Sequence, residues 1–207
     1  MPRTLRLSML IVICCLTAGS CVTRQEITGQ TTSGLDRKLT TYSWIEDGDL
    51  VTFVVNTKAT RYREDSNYIP LEIAVANRGL RNLTLTRESF SLIDSEKTHY
   101  PVASPQELMK DYKFLDFDRE NLTELAGITT NKFATFTRYR SNFSPTRGAT
   151  FGRTNLVRDV VALPKFGYVL DMLYFPKPKN GVKGHRFELF LRAPELEDPV
   201  FVKFEVR

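Results

Sequence analysis

Short runs in which apolar and polar residues alternate, one well-marked helix start, and no regular βαβ succession predict a mainly β chain: an immunoglobulin-like antiparallel β-sandwich with one inserted helix. The clearest run sets Ile69, Leu71, Ile73 and Val75 against Pro70, Glu72, Ala74 and Ala76, so the large apolar side chains share one face. A closed barrel is the second architecture open to the same pattern.

The first twenty residues read as an export signal. Arg3 and Arg6 form a basic start without an acid, Leu7 to Leu16 supply about ten largely apolar residues, and Ala18, Gly19 and Ser20 are small, as a signal peptidase requires. A spanning helix needs roughly 20 apolar residues. The run Leu16-Thr17-Ala18-Gly19-Ser20-Cys21 resembles the lipobox of bacterial lipoproteins, with Ala18 where that family favours leucine. The resemblance implies cleavage before Cys21 and a lipid on its thiol. An ordinary secretory cut near Ala18 or Ser20, leaving a free thiol, is the alternative. Cys14 and Cys15 leave with the apolar run, so Cys21 has no disulfide partner and lipidation accounts for it. Two or three acyl chains anchor a protein stably where one does not. By analogy with enterobacterial sorting, Val22 in place of aspartate points to the outer membrane.

The chain therefore divides into a removed signal over 1–20, a lipidated flexible tether over 21–41 and one immunoglobulin-like sandwich domain over 42–207. From Val22 to Thr41 the residues are dominated by Thr, Gln, Gly and Ser, too few of them apolar to order the segment. As a coil it reaches roughly 25 Å. Without Arg3 and Arg6 the 29 basic residues become 27 against 24 acidic ones, about +3, a bias too mild to imply a nucleic-acid partner.

Further strands are expected at Val51, Phe53 and Val55; Leu83 and Leu85; Phe90 and Leu92; Phe187, Leu189 and Leu191; and Val200, Val202, Phe204 and Val206. The stretches Phe133 to Tyr139 and Tyr168 to Phe175, aromatic and β-branched, add two more. Asn77-Arg78-Gly79 predicts a turn through the tolerance of Asn and Gly for positive φ. The inserted helix starts with Ser104 as N-cap, Pro105 in the first turn and Glu107 closing a capping box. Leu108, Tyr112 and Leu115 then form one apolar stripe suited to an open edge or end of the sheets, and a further helical turn runs from Asn121 to Leu125 and stops at Gly127.

Tyr68 to Tyr100, with its apolar strand, Asn-Arg-Gly turn, Phe90-Ser91-Leu92-Ile93-Asp94 and Tyr100-Pro101, resembles the immunoglobulin-like domains of bacterial surface lipoproteins. Those domains often carry glycine in the turn after the aspartate, where this chain has Ser95-Glu96-Lys97. The resemblance implies a fold and is silent on activity.

Chemistry is sparse. His99 and His185 lie far apart with no cysteine beside them, so no metal is expected, and Asp47-Gly48-Asp49 and Asp116-Phe117-Asp118 lack the rest of a calcium loop. No GxSxG, P-loop or dinucleotide pattern occurs, so neither enzyme nor cofactor is predicted, and a hydrolase built from Glu107, Asp111 or Glu124 is the outlying alternative. Lys132 to Arg158 holds six basic residues and no acid, interleaved with Phe133, Phe136, Tyr139, Phe143 and Phe151. Guanidinium forks suit phosphate and carboxylate, so Arg138, Arg140, Arg147 and Arg153 are the predicted partner contacts. The partner would be an envelope protein or an anionic glycan such as lipopolysaccharide. A plainer account has the phenylalanines facing the core and the arginines facing water. A second basic stretch, Lys177, Lys179, Lys183 and Arg186, reads as an exposed hairpin turn that enlarges the patch.

Overall fold

Each expected alternating run forms a strand because one of its faces finds an apolar partner. The computed structural model describes residues 29–30, 32–35, 37–145 and 160–206. In chain order the elements are β1 (Ser43–Asp47), β2 (Val51–Asn56), α1 (Lys58–Arg61), β3 (Tyr68–Asn77), β4 (Asn82–Thr86), a 3-10 turn (Arg87–Ser89), β5 (Phe90–Asp94), β6 (His99–Pro101), α2 (Pro105–Asp111), α3 (Leu115–Asn121), α4 (Leu125–Thr129), β7 (Thr137–Tyr139), β8 (Val160–Pro164), β9 (Gly167–Pro176), β10 (Arg186–Leu191) and β11 (Val200–Glu205).

A five-stranded sheet in the order β1-β2-β3-β9-β7 packs on a four-stranded sheet in the order β11-β10-β5-β6. Phe53, Ile73, Leu173, Phe90, Leu189 and Val202 meet in the core between them. The chain is mainly β, a sandwich with a few helices, and its sheets do not close into a barrel. Among the described residues all strand pairings are antiparallel except β7 on β9, which is parallel over three residues. Only Thr137–Tyr139 of the predicted Phe133 to Tyr139 strand is extended, since Phe133 turns inward under α4.

Strand β3 is buried on both faces. Its four large residues face the other sheet, and Ala74 and Ala76 on the reverse face meet Leu125 and Phe133. The helical segment thus lies over the broad outer face of the five-stranded sheet, correcting the expected edge or end position. Ser104 caps α2 as predicted, with the Glu107 N–H donating to its Oγ at 3.2 Å. The single helix is instead three short pieces. Leu108, Tyr112 and Leu115 are all buried, but Tyr112 ends α2 in an extended conformation and Leu115 begins α3. Gly127 lies inside α4 and does not stop it.

The Asn77-Arg78-Gly79 bend forms without positive φ. Asn77 Nδ2 donates to the carbonyls of Leu80 (3.0 Å) and Leu163 (2.9 Å), and its Oδ1 accepts from Leu80 N. Gly79 is small because a Cβ there would lie 2.7 Å from Leu50 Cδ2. The bend carries the β3–β9 ribbon into the β4–β8 ribbon, which caps one end of the sandwich.

Part of the predicted tether belongs to the fold. From Gly29 the chain straps the open side between β1 and β11. Gln30 Oε1 accepts from Leu50 N (2.8 Å) and Val51 N (2.7 Å), while its Nε2 donates to Val51 O (3.1 Å). Ser33 donates through N and Oγ to Glu46 (2.9 and 2.6 Å), Thr32 Oγ1 accepts from Phe201 N (3.3 Å), and Arg37 O accepts from Ile45 N (2.8 Å). These polar residues order themselves by satisfying edge-strand donors, which composition alone does not reveal. Cys21 and the signal lie outside the described residues.

Candidate functional site

The sandwich has two ends. At the entry end Gly29 lies against Glu197, near the 48–50 turn, the 78–81 bend and the 165–166 corner. At the far end are the 95–98 turn and the 177–185 connection.

A groove of about 540 Å³ opens at the far end. Trp44, Phe187 and Phe204 form its aromatic side, with Trp44 and Phe204 centroids 6.0 Å apart and Phe187 stacked on Phe204 at 5.9 Å. Lys38 on the strap stands 6.0 Å from the Trp44 ring. Lys97 and Lys203 flank Glu188 at 3.4 and 3.6 Å. Across the Asp94–Thr98 turn, a second hollow of about 440 Å³ is bounded by Lys177, Lys179, His185 and Tyr100. The two share Asp94, Ser95 and Phe187.

The turn between them is built on Asp94. Its Oδ1 accepts from the N–H groups of Glu96 and Thr98, both at 2.9 Å, and its Oδ2 accepts from Tyr100 OH at 2.8 Å. Burial pushes the carboxyl upward, but these hydrogen bonds outweigh it and hold the Asp94 pKa below its usual value. Lys97 closes the turn with φ 64. This is the left-handed conformation that glycine adopts without penalty, and an L side chain there costs on the order of 1 kcal/mol. Lysine therefore occupies a position that backbone physics assigns to glycine, and it lines the groove.

Of the predicted contacts, Arg138 on β7 and Arg140 just after it are exposed, while Arg147 and Arg153 lie outside the described residues. Phe133 and Phe143 are buried, and Lys132 pairs with Asp47 at 2.6 Å. Among the described residues the second basic stretch does not adjoin Arg138. Arg138 pairs with Tyr168 and Lys177 follows Pro176, so the two are separated by most of β9, about 26 Å. Nor is 177–185 a hairpin turn: it carries the chain from one sheet to the other, using Gly181 at φ 83 and Gly184 at φ 76.

Of the three carboxylates that could have formed an acid pair, Glu107 and Glu124 are engaged with other groups and Asp111 is exposed at the end of α2. Glu107 caps α2, Glu124 pairs with Lys58, and Asp118 pairs with Arg63 at 2.7 Å and accepts from Tyr112 OH. Asp171 pairs with Arg119 at 3.0 Å and accepts from Phe143 N. The Arg119–Asp171 pair fastens α3 to β9, and the Lys58–Glu124 and Arg63–Asp118 pairs join the helical segment to α1 and the residues after it. Among the described residues no group of three or more His, Cys, Asp or Glu side chains could hold a metal ion.

Lys38, Lys97 and Lys203 were not singled out in the sequence. They come from the strap, a turn and β11, and only the unfavourable φ of Lys97 offers a local signal, through the lysine standing where related turns carry glycine.

No family model matches this chain, and no curated protein matches it. Among solved structures it is similar to YcdA, a candidate lipoprotein of Bacillus subtilis, at 15% identity with a TM-score of 0.39. The match covers 78% of this chain and 38% of that one, so the present chain spans well under half of its length.

Proposed function

We propose that this protein is a lipid-anchored component of the bacterial cell envelope, held through Cys21, whose immunoglobulin-like sandwich acts as a non-catalytic binding or assembly module with its recognition surface at the far-end groove. The observation that carries this reading is Lys97, a charged side chain kept at positive φ on the groove wall. Backbone outliers of this kind concentrate at sites where function outweighs the local cost. Leu35, exposed beside the nearly buried rings of Trp44, Phe187 and Phe204, offers apolar area and the surrounding charges offer orientation, the usual division of labour in a binding site.

A second reading, an anionic glycan such as lipopolysaccharide as the ligand, is favoured by charge. Lys38, Lys97, Lys177, Lys179, Arg186 and Lys203 line the two hollows against Asp94, Glu96, Glu188 and Glu205. An envelope protein would bind at fixed stoichiometry, whereas a polyanion would bind with steep salt dependence.

Site-specific photo-crosslinking in native cells tests the location. A crosslinker in place of Lys179 is expected to capture the partner, and one in place of Arg138 to capture none. Capture from Arg138 alone would move recognition to the arginine-rich segment. Lys97→Gly supplies a second test, because it relaxes the turn while removing the contact. We expect thermal stability to hold or rise and capture to fall, and loss of both together would make Lys97 merely structural.

A further inference from the structure

Lys97 has one counterpart among the described non-glycine residues, Phe166 at φ 63, and it sits at the entry end. Its N–H donates to Asn77 O at 2.7 Å and its carbonyl accepts from Thr137 N at 2.9 Å. The backbone is pinned from both sides while the residue remains 50% exposed. Phe136 packs edge-on against it at 5.5 Å, and Lys165 Nζ stands 5.3 Å from its centroid.

Strand β8 continues this surface. Val161 and Leu163 point into the core, so Val160, Ala162 and Pro164 form an exposed apolar row, with Val160 at 59%. A half-buried strand ordinarily turns polar residues to water, and β8 turns apolar ones. Arg81 and Arg138, both exposed, lie at the same corner: Arg81 precedes the Asn82↔Pro164 pair, and Arg138 is paired with Tyr168.

Where the chain enters decides what this surface meets. Gln30 is bonded to Leu50, Leu50 O accepts from Arg78 N, and Asn77 O accepts from Phe166 N, so entry point and apolar corner are joined by adjacent residues. Cys21 precedes Gly29 by eight residues. Fully extended, that length spans at most about 28 Å. As coils, eight residues reach roughly 16 Å against roughly 25 Å for the 20-residue tether expected from composition. Eight residues leave the entry end closest to any bilayer that holds Cys21.

We propose that the entry end docks on the lipid headgroup surface through Phe166 and the outer row of β8, leaving the groove directed away from the membrane. The proposal rests on the lipid-anchor reading above. Phe166 and Val160 would enter the interfacial zone while Lys165, Arg81 and Arg138 reach the phosphates, the pattern by which apolar and basic side chains share a membrane surface.

The test uses the acylated full-length mature chain in vesicles of phosphatidylethanolamine and phosphatidylglycerol that carry lipid-attached nitroxide. Because Cys21 is acylated, a cysteine introduced by Ala162→Cys or Lys179→Cys is the one free thiol and takes a fluorophore uniquely. Quenching is expected at 162 and absent at 179. Phe166→Gly, which removes the ring and relaxes the φ, should reduce quenching at 162 without lowering the thermal midpoint. Equal quenching at both sites, in a chain that floats with the vesicles and carries the acyl mass, overturns the docking alone. A chain without acyl mass that fails to float overturns the anchor and the docking together. Shielding of position 162 from a water-soluble quencher that persists in detergent would assign the face to a second protein copy and also overturn the proposal.

Discussion

Glu72 occupies a polar position in an alternating strand, which in the sequence faces water, yet the helical segment buries it. Its carboxylate accepts from Glu124 N at 2.7 Å and from Leu125 N at 3.0 Å. Burial outweighs those hydrogen bonds and pushes its pKa from 4.5 up to about 7, with Glu124 adding to the rise and Lys58 opposing it. Between those two values the folded chain holds a proton that the unfolded chain has lost. The stability due to this group is therefore fully present below pH 4.5 and is lost as pH climbs to 7. Glu72→Gln keeps an acceptor for the α4 amides and removes the titration. Its advantage over the wild type should grow across that window by up to about 3 kcal/mol, read from urea midpoints. Parallel profiles for the two proteins would refute the assignment. Lys97 makes the complementary point: the sequence shows lysine in place of an expected glycine, but only the backbone shows that the left-handed conformation was retained.

At the scale of elements, the strap is where local reading and structure part. Thr32, Ser33 and Gln30 look like linker residues, and their role depends on donors and acceptors of β1, β2 and β11 far away in sequence. Gln30→Ala would leave two buried amides, of Leu50 and Val51, without an acceptor, a loss of about 2 kcal/mol. Gly48→Ala should cost a similar amount, because a Cβ at Gly48 would overlap the Gln30 amide and expel it. The double variant should be little worse than either one, since both remove the same contact. Hydrogen exchange at Leu50 and Val51 would report the release, and strictly additive losses would contradict the shared mechanism. By contrast, the α2 start was fully legible, because a capping box is satisfied within four consecutive residues. Where α2 would end was not legible, because Tyr112 leaves the helix to bond Asp118 and pack against Tyr174 at 5.0 Å.

Over the whole molecule, one core joins both sheets and the capping β4–β8 ribbon, and the strap is bonded to β1, β2 and β11. The described parts should therefore unfold as one unit. Trp44, the single tryptophan, lies beside both the strap and Phe204, so its fluorescence and the far-ultraviolet circular dichroism should change at the same urea concentration. A tryptophan transition that comes first would mean that the strap and groove melt separately.

The sequence by itself determined the strands β2 to β5 and β9 to β11, the capped start of α2 and the mainly β class, because each depends on residues a few positions apart. Tertiary structure alone decided that β3 is buried on both faces, that the described residues between Gly29 and Lys38 form a strap, and that Lys177 lies most of β9 away from Arg138. It also assembled the groove from the strap, a turn and strands of both sheets, Trp44 on β1 and Phe187 and Phe204 on β10 and β11. Those outcomes depend on which distant segments meet, and periodicity within a strand carries no information about what covers its second face.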